Sequence, residues 1–147
     1  MGESELYFID TNIFLRTLVL ENPQITQESA AVLMLIKNGA IKAYTNNLVI
    51  AEINWVLRQV YLTSKEQRIK SIKGIIKLKN LKITTETDFL LGLDLYEQYN
   101  IKFIDALIAA NRLIQKQQAI IVSYDKDFDK IKGAKRLEPK QILKKYG

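Results

Sequence analysis

The 147 residues carry a formal net charge of +6 and contain neither Cys nor His. This removes disulfides, thiolate nucleophiles, imidazole bases and metal sites built on sulfur or imidazole, and leaves carboxylates, Lys, Tyr or an oxygen-bound metal for any chemistry. The length fits one domain, residues 1–147, around one core. No apolar run is long enough to span a bilayer, and Glu3 and Glu5 stand where a leader would be positive, so a cytoplasmic protein without a membrane partner is expected.

Residues 5–9 form a short apolar run that predicts a buried strand. A helical pattern then extends to Leu20, where Glu21-Asn22-Pro23 breaks it. A second helix is expected from Thr26 to Gly39 and a second strand over residues 41–44. Thr45, Asn46 and Asn47 then offer caps for a helix containing Glu52, Trp55, Val56 and Leu57. Thr63 with Glu66 has the spacing of a capping box for the next, strongly basic helix, and residues 81–85 read as a third strand. Thr87 opens another helix, and Phe103-Ile104-Asp105 opens one running to about Gln117. Ala119-Ile120-Ile121-Val122-Ser123 is apolar and β-branched enough for a central parallel strand covered on both faces. Residues 135–137 read as a last short strand, with Pro139 in the first turn of a closing helix. This alternation predicts an α/β three-layer sandwich, a mostly parallel central sheet flanked by helices.

The positive charge is clustered. Residues 65–82 hold seven basic side chains against one acid, and residues 126–145 hold eight against three. Such runs are ordinary solvated helix faces or the footprint of a polyanion such as RNA. Trp55, Tyr7, Tyr44, Tyr61, Tyr96 and Phe103 are candidates for stacking on unpaired bases, although their spacing also fits core packing.

Four acids stand apart from this basic background. Asp10 and Asp125 each follow an apolar strand, and in a parallel sheet the carboxyl ends of strands share one edge, where ligands bind. Glu52 interrupts Leu48-Val49-Ile50-Ala51, and Asp105 interrupts Phe103-Ile104 and Ala106-Leu107-Ile108, so each sits where an unpaired charge is costly. Each alone has a plainer role: Asp10 as a helix cap, Asp105 as a charge on a helix dipole, Asp125 as a turn former. Asp127 and Asp129 follow the strand at residues 119–123 closely enough that either could stand in for Asp125; interleaved with Lys126 and Lys130 they read as an exposed helical start, with Asp127 kept as the alternative acid. Converging carboxylates repel one another unless a cation compensates. Ligation by oxygen alone favours Mg²⁺ or Mn²⁺, as one or two ions, and so points to phosphodiester chemistry.

The runs Phe8-Ile9-Asp10-Thr11-Asn12, Ala51-Glu52, Phe103-Ile104-Asp105-Ala106-Leu107-Ile108-Ala109-Ala110 and Ser123-Tyr124-Asp125-Lys126-Asp127-Phe128 resemble, in order, the motifs of the PIN-domain nucleases. The resemblance spans nearly the whole chain and extends to the toxins of VapBC-type toxin–antitoxin pairs. It implies a metal-dependent endoribonuclease with Asp10, Glu52, Asp105 and Asp125 as catalytic and metal-holding acids, and with Asn12 and Ser123 organising them by hydrogen bonding. It also implies a small antitoxin as partner and a homodimer. A phosphotransferase using Asp10 as nucleophile ranks low, because position 12 is Asn where a second acid would be needed. The same motifs also suit an RNA-maturation nuclease without a toxin role, or a non-catalytic PIN-like module that binds RNA or protein.

Overall fold

The computed structural model describes residues 5–146, so Glu3 lies outside the described residues. Its centre is a sheet of β1 (Leu6–Ile9), β2 (Lys42–Asn46), β3 (Leu81–Thr84), β4 (Ala119–Val122) and β5 (Arg136–Leu137), in the order β3-β2-β1-β4-β5. All neighbouring pairs are parallel. Tyr7, Phe8, Ile9, Ile121 and Val122 are fully buried, as apolar strands covered on both faces must be.

The connections are α1 (Thr11–Leu18), α2 (Pro23–Lys37), α3 (Asn47–Gln59), α4 (Lys65–Ile76), α5 (Phe89–Gln98), α6 (Phe103–Ala109) and α7 (Arg112–Gln115). A 3-10 helix (Lys126–Lys130) follows β4, and α8 (Pro139–Tyr146) follows β5. Helix α1 packs on α2 and α3, α2 on α8, and α3 on α4, whereas α5 packs on α6 and α7 lies against β4. This segregation follows from right-handed crossovers: the chain steps outward from β1 to β3 with helices on one face, then returns across the sheet to β4 with helices on the other.

Local chemistry moves several boundaries. Pro23 starts α2 rather than only ending α1, because Asn22 caps the backbone N–H groups of Gln24 (3.1 Å) and Ile25 (3.2 Å), and proline suits the first helical position. The capping box of α4 is Ser64 with Gln67, one residue later than expected; the Thr63 hydroxyl instead donates back to the Leu57 carbonyl at 2.8 Å. Asp88, not Thr87, caps α5. The long helix expected from Phe103 to Gln117 is divided between α6 and α7. At the break Asn111 accepts the Tyr44 hydroxyl at 2.6 Å and caps Ile114, a tertiary contact that local pattern does not show. Among the described residues no helix is long and apolar enough to cross a membrane.

Helices α5 and α6 approach closely because position 92 is Gly. A Cβ there would meet Leu107 Cδ2 at 2.6 Å and its Cα at 3.4 Å, and Leu107 is itself buried. Gly92→Val is therefore expected to lower the unfolding free energy by about 1–3 kcal/mol through overpacking. Urea denaturation checks this; unchanged stability would mean that the two helices separate freely.

Candidate active site

The strand order reverses direction between β1 and β4, so a crevice opens at the carboxyl ends of these two neighbours. Their register pairs Ile9 with Val122, and the Asp10 N–H continues the ladder to the Val122 carbonyl at 3.1 Å. The next residues on the two strands, Asp10 and Ser123, are thereby placed side by side. The Ser123 hydroxyl donates to Asp10 Oδ2 at 2.6 Å and accepts from Asn12 Nδ2 at 3.1 Å and from the Asp125 N–H at 3.0 Å, which uses its one donor and both lone pairs. Asn12 Oδ1 accepts the Tyr124 N–H at 3.2 Å, so its amide bridges the start of α1 and the turn after β4.

Asp10 occupies the N-cap position of α1 but makes no side-chain cap bond there. Only 3 % of its surface is exposed, and its Oδ1 has no hydrogen-bond partner. Asp105 lies in the first turn of α6, where the helix dipole favours a negative charge, yet it is only 2 % exposed and its Oδ2 is likewise unpartnered. Asp125 uses Oδ1 to cap the Asp127 N–H at 2.9 Å. Glu52 is half-buried on α3 and accepts a short hydrogen bond from Thr11, the first residue of α1.

Carboxylate oxygens of Asp105, Asp125 and Asp127 lie within 4.8 Å of one another. The expected helical start is present as the first turn of the 3-10 helix, but Asp127 is half-buried there rather than exposed and gathers with Asp125; Lys130 pairs with it at 2.8 Å. Asp129 is exposed and turned away to Arg136, whose guanidinium holds its carboxyl below the usual range. Sequence reasoning also missed Lys102, whose Nζ stands 3.9 Å from Asp105 Oδ2, and the Thr11 hydroxyl that holds Glu52. The signal for Lys102 was its place three residues before Asp105, one helical turn away. Of the aromatic candidates, Tyr7 and Tyr44 are core, and Trp55 is exposed one turn beyond Glu52.

Burial pushes the Asp10 carboxyl up to about 6, with Glu52 and Asp125 adding to the rise while the Ser123 hydroxyl and the Thr11 backbone oppose it. Burial pushes Asp105 up to about 8; Lys102 opposes the rise, and Asp10, Asp125 and Glu52 add to it. Asp10, Glu52 and Asp125 thus each bear on Asp105 electrostatically, whereas the acids that bring carboxylate oxygens within 4.8 Å of one another are Asp105, Asp125 and Asp127. The donor set is oxygen alone, and two buried carboxylate oxygens are unpartnered, so the residues fit a hard divalent cation. A cleft of about 1120 Å³ lies elsewhere, bordered by Thr84, Phe89 and Arg112, and contains neither Asp10 nor Asp105.

Fold and site together define a parallel α/β domain with a carboxylate centre at its switch point. The family model described as PIN domain matches residues 7–134, and the chain belongs to the PIN-domain family. No curated protein gives a significant match. Among solved structures, VapBC2 from Rickettsia felis bound to a promoter DNA fragment superposes with a TM-score of 0.67 at 18% identity, covering 90% of this chain and 98% of that one. PAE2754 from Pyrobaculum aerophilum gives 0.66 at 16% identity over 97% and 95% of the two chains. VapBC-1 from nontypeable Haemophilus influenzae gives 0.62 at 20% identity over 92% and 98%. At these identities the likeness is one of fold.

A carboxyl whose pKa is higher in the fold than in the unfolded chain stabilises the fold fully below its unfolded pKa, and this contribution is lost as pH rises through the folded value. For Asp105 the loss runs from an ordinary 3.8 to about 8, and for Asp10 it ends near 6. The metal-free protein should therefore lose thermal stability between about pH 4 and 8, and Asp105→Asn should flatten this decline. Melting curves in EDTA at several pH values test it, and equal slopes for the two proteins would contradict it.

Proposed function

We propose that the protein is a metal-dependent endoribonuclease that hydrolyses RNA phosphodiester bonds and acts in the cytoplasm as the toxin of a toxin–antitoxin pair. The observation that carries the reading is the pair of buried oxygens on Asp10 and Asp105 that lack a hydrogen-bond partner, set among further carboxylates in a chain of net positive charge. Asp105, Asp125 and Asp127, whose oxygens gather, would hold Mg²⁺ or Mn²⁺ together with the free oxygen of Asp10, and Glu52 stands at the margin of the cluster. A divalent ion bound there supplies Lewis acidity toward a phosphodiester and lowers the pKa of water.

The chain's own groups do the rest. Ser123 fixes Asp10 through Oδ2 and leaves Oδ1 for a cation, while Asn12 fixes Ser123. Glu52, half-buried and held by Thr11, is reachable from solvent and placed to take a proton from an attacking water. Lys102 has an exposed ammonium beside Asp105, suited to a flanking RNA phosphate. The basic residues of α4 and of the segment after β4 supply affinity with little sequence choice.

The structural likeness to VapBC proteins supports a small antitoxin as partner. The exposed apolar stripe Phe89, Leu90, Leu93 and Tyr96 on α5 supports a homodimer. A pure binding module has no evident need for acids buried at this cost.

Labelled single-stranded RNA should be cut by the purified protein in Mg²⁺ or Mn²⁺ and not in EDTA. Asp10→Asn and Asp105→Asn should both fall to background while remaining folded. Cutting that survives chelation, or survives both substitutions, would refute the carboxylate mechanism.

A further inference from the structure

The geometry points to Arg136 as a positioning residue that holds the acid-bearing turn after β4 in place, an inference that rests on the proposed metal-dependent reading of the site. Arg136 lies on the edge strand β5, and its side chain is only 10% exposed. Its Nη1 donates to the Ser123 carbonyl at 2.9 Å and to Glu138 Oε2 at 2.8 Å. Its Nε and Nη2 donate to the two oxygens of Asp129 at 3.0 and 2.9 Å. One planar guanidinium thus grips both ends of the segment Ser123–Asp129, the carbonyl at its start and the carboxylate at its finish.

Between those ends lie Asp125 and Asp127, two of the three acids whose oxygens gather within 4.8 Å. Neither hydrogen-bonds or ion-pairs with Arg136; both ride on backbone that Arg136 ties to the sheet edge. The Ser123 carbonyl needs this donor: Ser123 faces β5, its N–H bonding the Leu137 carbonyl at 3.0 Å, and the next ladder donor on that side would be residue 139, a proline with no N–H. A lysine cannot substitute, since a single ammonium lacks the rigid fork that reaches carbonyl and carboxylate together. Asp129, which by sequence competes with Asp125 for a place in the site, becomes the anchor of the turn instead.

Calorimetric titration of Mg²⁺ and Mn²⁺ into the wild-type chain and into Arg136→Lys, Asp129→Ala and Glu138→Gln tests the assignment, with circular dichroism confirming the fold. Asp129→Ala and Glu138→Gln each remove one acid that pairs with Arg136, so they match in charge, but only Asp129 belongs to the acid-bearing turn. Arg136→Lys and Asp129→Ala should weaken metal binding about tenfold or more, whereas Glu138→Gln stays within about twofold of wild type. The double variant Arg136→Lys/Asp129→Ala should bind no more weakly than Arg136→Lys alone, because both changes break one connection. RNA cleavage by Asp129→Ala should show a lowered kcat at limiting metal, recovered at saturating metal, with KM for RNA unchanged. Wild-type metal affinity in a folded Asp129→Ala overturns the positioning role even if Arg136→Lys fails to fold. Absence of metal binding by the wild-type protein is a separate result and overturns the metal-dependent reading on which the inference stands.

Discussion

The parallel pairing of β1 with β4 is the constraint on which the site depends. Because Ile9 and Val122 share a register position, the residues that follow them come off the sheet together, and Asp10 meets Ser123 across 113 positions of sequence. The same pairing marks the place where the chain, having stepped outward to β3, returns to the other side of β1. Helices leaving the two strands go to opposite faces, so no backbone covers the crevice between them. Acids from α3 and α6 can then enter from either side.

That crevice gathers more negative charge than it can neutralise. Asp10 and Asp105 are buried and pushed toward the protonated form, and the nearby cations are directed to different acids, Lys102 to Asp105 and Lys130 to Asp127. The arrangement is costly to the fold, because it buries carboxylate oxygens that no hydrogen bond satisfies. The surrounding core of Tyr7, Phe8, Ile121 and Phe128 is fully buried and offsets the cost. Hydrogen bonds beyond the acids matter as much as the acids. Ser123 saturates all its bonding capacity in holding Asp10, Asn12 and Asp125 in register, and Arg136 restrains the turn from the far side.

Much of this was legible from residue types. Strands β1 and β4 follow from short apolar runs, and the acids after them were conspicuous because charged residues are rare beside buried strands. The misreadings have physical causes. Thr63 and Ser64 are both capable caps, and only the path of the backbone, which turns the Thr63 hydroxyl to Leu57, decides between them. The continuous apolar pattern from Phe103 to Gln117 contains a break because Tyr44, far away in sequence, engages Asn111. Asp127 looked solvent-facing from its lysine neighbours, yet a tight 3-10 turn capped by Asp125 brings its carboxylate back toward Asp105.

What the sequence determined by itself is what depends on composition and local period. These are the alternation of strand and helix, the exclusion of sulfur and imidazole chemistry, and the small set of acids in positions too apolar for idle charge. What only the tertiary structure decided is which of those acids share a volume of space and what holds them there. Thr11 on Glu52, Lys102 beside Asp105, and Arg136 spanning Ser123 to Asp129 are side-chain contacts set by strand order and helix packing. Neither hydrophobic period nor backbone propensity carries information about them, because a hydrogen bond between distant residues is fixed by where the fold places its two ends.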